Sequence, residues 1–201
     1  KRGYLNLHQE LTKRGLLKQV KLVGPDVGMP QGKRGRQISE QWFIPGVKDL
    51  KHIAASYDFH RYEMKSTVRS GAFESLVAKM RACTLAHDPK GGDKPLIIGE
   101  AGMRDGSKPP ATNDNTPKFE YGLFMADYAV QAVNGGAGSV MAWMLDDNSH
   151  SRFTWGMWHN KSNGLKLKPW FHPWSLLCRY IPAGSRILKT DLSTADVRVL
   201  V

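Results

Sequence analysis

Residues 94–102 read KPLIIGEAG, a short apolar run that stops on a carboxylate, Glu100, and passes at once into Ala101 and Gly102. An apolar run of four to six residues bounded by Gly and Pro suits a strand buried on both faces. A charge at the end of such a strand persists only where solvent or chemistry receives it, so Glu100 is expected at the lip of a core.

Three other runs share this layout, an apolar strand whose last residues turn polar. They are VKLVGPD, ending at Asp26; HIAASYDFHRYE, with Tyr57, Asp58, His60 and Tyr62 near its end; and GSVMAWMLDD, carrying Trp143, Asp146 and Asp147. The anchors Asp26, His60, Glu100 and Trp143 stand 34 to 43 positions apart. That is the length of a strand, a loop, a helix and a return loop, and the intervening segments read as helical. The fold class is therefore α/β: four βα units with polar side chains gathered at the carboxyl ends of parallel strands.

The helices read as follows. Residues 4–19 interleave Leu5, Leu7, Leu11, Leu16 and Leu17 with polar residues, a helix ending before a strand at Val20. A Gly- and Pro-rich loop is expected over 27–37, then a helix from about Ser39 that Pro45 and Gly46 interrupt. Residues 66–87 form the clearest amphipathic helix, with Phe73, Leu76, Val77, Met80 and Leu85 on one face. A long polar loop over 101–118 precedes a helix through Tyr121, Phe124, Met125 and Tyr128 that stops at Asn134, Gly135 and Gly136. A second long segment, 148–168, follows Trp143. Both long segments come after strands, which favours a binding face on that side. Residues 169–180 read as a terminal helix, and 185–189 with 197–201 as the beginning of strands outside the βα rhythm.

The charge of +11 on 201 residues raises nucleic acid or an acidic polymer as a partner. The basic residues are spread through the helices, and the one dense run, Lys33, Arg34 and Arg36, has no groove-reading motif beside it. A solvated basic surface is the preferred reading, with no nucleic-acid partner. No window is long and apolar enough to span a membrane. Cys83 and Cys178 have neither CxxC nor metal-ligand spacing and are expected as two buried thiols. His150 and His159 lack the i, i+4 spacing of a helical zinc site, and the GGAG run at 135–138 precedes a strand instead of the helix a dinucleotide site requires. No metal or cofactor is expected. Asn160, Lys161 and Ser162 form a glycosylation sequon, a pattern short enough to recur by chance.

In order and spacing these features resemble the carboxyl-terminal half of the clan A glycoside hydrolases, retaining enzymes on a (β/α)8 TIM barrel. The nearest likeness is to cellulase-like family 5 members and relatives with an appended β-sandwich. GPD at 24–26, HRY at 60–62, IIGEAG at 97–102 and MAWMLDD at 141–147 carry the resemblance, and PAGSRIL at 182–188 resembles the passage from barrel into sandwich. The resemblance implies strands 5 to 8 of a barrel over residues 1–180, then the beginning of a sandwich over 181–201. Residue by residue, it makes Glu100 the nucleophile and Tyr62 and His60 the pair that orients it. Trp143 becomes the floor under the reacting sugar and Asp26 a less constrained group at the end of the fifth strand. Trp155 and Asp146 join them as substrate-binding candidates, and Trp42, Phe43 and Trp158 could supply further stacking.

The chemistry requires these types together. A retaining glycosidase needs a carboxylate to attack the anomeric carbon and a second, roughly 5 Å away, to protonate the leaving oxygen. A phenol donating to the nucleophile keeps it ionised and aimed. Each residue also has a plainer reading: a paired surface Glu, a strand Tyr that only packs, a core Trp, a core His. The family's Asn-Glu acid/base pair has no counterpart in these 201 residues. The chain is therefore expected to be a piece of a longer, secreted or periplasmic, polysaccharide-degrading hydrolase, inactive without the amino-terminal half of the same polypeptide. The alternative is a non-catalytic carbohydrate-binding remnant.

Overall fold

The computed structural model describes residues 1–109, 111–148, 152–190, 194 and 197–201. Four strands, β1 (Val27–Gly28), β2 (Tyr57–Glu63), β3 (Leu96–Met103) and β6 (Ser139–Ala142), form one sheet in chain order, every pair parallel. A two-stranded antiparallel ribbon, β4 (Ser107–Lys108) with β5 (Thr112–Asn113), rises from the loop after β3. The βα rhythm in the sequence is thus the rhythm of the sheet.

The helices cover one face of the sheet. After α1 (Arg2–Lys13), the β1–β2 crossover contains α2 (Gly32–Ile38), a π-helical turn (Ser39–Phe43) and α3 (Ile44–Leu50). The next crossover holds α4 (Lys65–Arg69) and α5 (Ala72–His87), and the third holds α6 (Phe119–Asn134). α7 (Phe171–Tyr180) follows the last strand and packs on α6. Phe59, Leu96 and Ile98 of the sheet are buried with Val47, Phe73 and Tyr128 of these helices. The opposite face is uncovered along β6, where Met141 is 51% exposed.

Several boundaries differ from the sequence expectations. α1 ends six residues early because Gly15 takes a left-handed φ of 69° just past its cap. The strand expected before Asp26 is reduced to single ladder contacts, with Ala55 N donating to Leu22 O at 2.8 Å and Gly24 N to Ser56 O at 3.3 Å. Pro25 has no N–H to continue the ladder and Asp26 sits at φ 56°, so regular pairing resumes only at Val27. Helix begins at Gly32 inside the expected loop. The expected helix over 66–87 is split at Gly71, whose φ of 80° separates α4 from α5. The strands expected over 185–189 and 197–201 are absent among the described residues, where Leu188 N donates to Val201 O at 2.7 Å. Both cysteines are free, but contrary to expectation Cys83 is only partly buried and Cys178 is exposed, since α7 has no buried residue. Among the described residues no helix is long and apolar enough to cross a membrane.

Candidate active site

The site begins with a break in strand periodicity. Side chains alternate along a strand, so Glu100, two residues after the buried Ile98, would belong to the helix-covered face. It does not, because β3 carries an extra residue at this point: Phe59 pairs with Ile98, but the next residue of β2, His60, pairs with Glu100. Gly99 is the bulged residue, and beyond it Ala101 and Met103 return to the core. The bulge therefore turns Glu100 onto the face that also carries Asp58, His60 and Tyr62. Glu100 is not the strand terminus expected from sequence; β3 runs three residues further because Arg61, Tyr62 and Glu63 continue to pair with it.

Around Glu100 the polar groups form a chain. Tyr62 Oη donates to Glu100 Oε2 at 2.9 Å. His60 Nδ1 lies 3.5 Å from Glu100 Oε1, and its Nε2 lies 2.5 Å from Asp26 Oδ1. The imidazole thus stands between two carboxylates. Burial, reinforced by the Glu100 charge, holds the Tyr62 phenol well above its ordinary range, so it remains a donor. Asp58 lies beneath, 8% exposed, and accepts the Gly99 amide at 2.9 Å through Oδ1. Burial pushes its carboxyl up to about 6, with the Asp26 charge adding to the effect and the His60 ring and backbone amides opposing it.

Asp26, Asp58 and His60 present ligand atoms within 4.8 Å of one another, the one such group among the described residues. Their oxygens and nitrogens already serve each other and the Gly99 amide.

Two cavities adjoin Glu100. One, of about 410 Å³, is lined by Tyr62, Glu100, Trp143, Phe153 and Trp155, with the β4–β5 ribbon on its border. The other, of about 380 Å³, is shared by His60, Tyr62, Glu100, Arg34 and Arg104. Among the described residues Glu100 is the only carboxylate lining either. Tyr62 packs edge-on against Trp155 with ring centroids 5.2 Å apart, and Gly102 makes room for both, since a Cβ there would lie 3.0 Å from each ring. Trp143, which follows β6, meets Phe153 at 6.4 Å. An indole beside a carboxylate and a phenol suits the apolar face of a sugar ring.

Buried polar contacts hold the walls. Behind Tyr62, Arg61 binds Glu63 through Nε at 2.7 Å and Nη2 at 2.5 Å, and Gln31 Nε2 donates to Glu63 Oε1 at 2.7 Å. In the second long loop Lys168, 2% exposed on its side chain, donates to Asp147 Oδ1 at 2.7 Å and to Thr154 O at 3.1 Å. Asp147 also accepts the Gly156 amide at 2.8 Å. This cluster holds residues 154–156, and so Trp155, against the site.

Six of the candidates named from sequence therefore converge: Glu100, Tyr62, His60, Asp26, Trp143 and Trp155. Asp146 does not. It lies on the bridge to Trp158, outside both cavities, and its neighbour Asp147 has the structural role. Phe43 is fully buried core, Trp42 is 64% exposed away from the cavities, and Trp158 packs on Phe171. His150 lies outside the described residues; His159 Nδ1 is 3.2 Å from Asp147 Oδ2. The Asn160 side chain is engaged as the cap of a short 3-10 turn. Sequence reasoning missed Gly99 and the structural part played by Asp58, although the spacing of Asp58, His60 and Tyr62, every second residue, marks one face of a strand.

No protein-family model matches the chain, and no curated protein matches it in sequence. Solved structures similar to it include two glycosidases. One is a GH51 arabinofuranosidase from Xanthomonas axonopodis pv. citri, with TM-score 0.58 and 12% identity over 82% of this chain and 37% of that one. The other is a glucosidase from Croceicoccus marinus, with TM-score 0.54 and 16% identity over 78% of this chain and 31% of that one. The chain thus spans roughly a third of the length of these structures. The likeness is one of fold: an α/β layout on a parallel sheet that both of these glycosidases contain.

Proposed function

We propose that this chain carries the nucleophile side of a retaining glycoside hydrolase acting on a β-linked glycan, as strands 5 to 8 of a (β/α)8 barrel. The observation that supports it most is Glu100, turned out of the core by the Gly99 bulge, accepting the Tyr62 hydroxyl and lining one cavity with Trp143 and Trp155. The fold likeness to two glycosidases and the uncovered face along β6 favour the same reading.

On this reading a pyranose lies against Trp143, and a Glu100 oxygen attacks its anomeric carbon. The bond to the leaving oxygen breaks as a second carboxyl group, protonated until then, gives that oxygen its proton and becomes a carboxylate, leaving a glycosyl ester on Glu100. The same carboxylate then takes a proton from water, which hydrolyses the ester with net retention. His60 and Tyr62 fix the orientation of Glu100 throughout. No second carboxylate lines either cavity among the described residues, so the acid/base is assigned to a segment outside this chain.

The test uses a protein that joins this chain to such a segment. A 2-deoxy-2-fluoro glycoside with an activated leaving group should leave a covalent adduct on Glu100, found by peptide mapping and abolished in Glu100→Gln. An adduct on Asp26 or an inverted product would overturn the assignment. Glycan binding with no adduct would favour the carbohydrate-binding remnant.

A further inference from the structure

Lys33, Arg34 and Arg36 are all exposed, as a solvated basic run should be, but Arg34 also lines the second cavity. It lies on α2, and α2 is seated against the backbone before it: a Cβ on Gly35 would come 1.8 Å from Pro30 O. Pro30 is itself held, because Arg61 Nη1 donates to Met29 O at 2.9 Å and to Pro30 O at 3.0 Å while its other nitrogens bind Glu63. Arg34 thus lines the second cavity from a seated helix, and Arg104, just past β3 and exposed like Arg34, lines it from the other element. Among the described residues neither guanidinium has an ion-pair partner, and neither is within ion-pairing distance of Glu100. The nearest carboxylate in sequence, Asp105, accepts the Lys65 amide at 2.6 Å. The first cavity differs: its one cation, Lys108, is paired with Asp114.

We propose that the second cavity is an anion subsite, and that the glycan is acidic, its carboxylate or sulfate held between Arg34 and Arg104 beside the sugar at Glu100. This rests on the glycosidase reading and adds the substrate class to it. Guanidinium forks match the paired oxygens of a carboxylate or sulfate, and such charge-assisted bonds are stronger than those to hydroxyls. A neutral sugar would cover the two cations without neutralising them, which selects against it.

Binding to the 201-residue chain tests this, read by tryptophan fluorescence and calorimetry. The probes are a glucuronate-containing tetrasaccharide, the same backbone bearing sulfate instead, and its neutral carboxyl-reduced form. The acidic probes should bind about tenfold tighter than the neutral one, and Arg34→Gln and Arg104→Gln should each remove about that factor. Neutral binding should not weaken in either variant, because each removes a charge that a neutral sugar covers without neutralising. Whichever acidic probe binds better identifies the group. Lys33→Gln, on the same helix but outside the cavity, should change nothing; equal losses there would reduce the effect to general charge attraction and overturn the subsite. Equal affinity for all three probes, or no binding of any, would overturn it as well. The two readings fail separately. Adduct formation on Glu100 without acid preference removes only the subsite, whereas acid preference without an adduct removes only the hydrolase.

Discussion

The Asp58 carboxylate fills the space that a side chain on residue 99 would need: Oδ1 accepts the Gly99 amide at 2.9 Å, and a Cβ there would lie 2.5 Å from Oδ2. Asp58 and Gly99 together make the bulge that turns Glu100 into the cleft.

Gly99→Ala should therefore destabilise the chain by about 1–3 kcal/mol, as overpacking does in a closed site. Combining it with Asp58→Ala should cost less than the two single changes added together, because the second removes the atoms the first collides with. Urea unfolding of the four proteins gives the coupling, and strict additivity would show that the contact does not define the bulge.

Asp58 also sets a pH dependence. Its folded value of about 6 lies above its ordinary 3.8, so between these values the folded protein holds a proton that the unfolded chain has released. The stabilisation this provides is fully present below about pH 4 and is lost as pH rises through 6. Asp58→Asn still accepts the Gly99 amide and carries no charge to bury. Relative to the parent it should gain roughly 2–3 kcal/mol between pH 4 and pH 7, measured by urea unfolding at both. A pH-independent difference would mean the carboxyl is solvated.

Much of this arrangement was legible in the sequence. Polar residues at the ends of apolar runs located Glu100, His60, Tyr62, Asp26 and Trp143, because a buried strand tolerates charge only where it emerges. The reason Glu100 faces the cleft was not legible. Simple alternation from Ile98 sends it into the core, and only the pairing of β3 with both neighbours reveals the inserted residue. The helix at Gly32–Ile38 was hidden in the same way: GKRGRQI has the composition of a loop, and it is helical because Gly35 lets it seat on Pro30. Asp146 was preferred over Asp147 because adjacent identical residues differ only in which way the chain turns them.

Tyr62→Phe keeps the ring against Trp155 and removes the bond to Glu100. A hydrogen bond to a charged acceptor contributes about 1.5–3 kcal/mol, so trapping by the fluoro-glycoside should slow by about 10- to 100-fold. Stability should change by under about 1 kcal/mol, since the hydroxyl is part-buried and its loss leaves packing intact. An unchanged trapping rate would remove the orienting role of Tyr62.

Lys168→Met should cost about 3–5 kcal/mol, because it takes the buried ammonium from Asp147, Thr116 and Thr154 and leaves the Asp147 carboxylate only the Gly156 amide and His159. Lys168→Met with Asp147→Asn should recover much of that loss. Trp155 fluorescence should follow stability through the series, as the cluster holds the loop that carries it. A Trp155 signal unmoved by Lys168→Met would separate the cluster from the site.

The Arg61–Glu63 and Lys168–Asp147 pairs bear on behaviour on heating. The hydration of charged groups becomes less favourable as temperature rises, so the desolvation penalty of such pairs shrinks. Apolar contacts, such as those fastening α7 to α6, gain no comparable advantage. The two walls beside Glu100 are thus fastened by the interactions that best withstand warming. Heat should loosen the helical exterior first and leave the cleft among the last parts to melt.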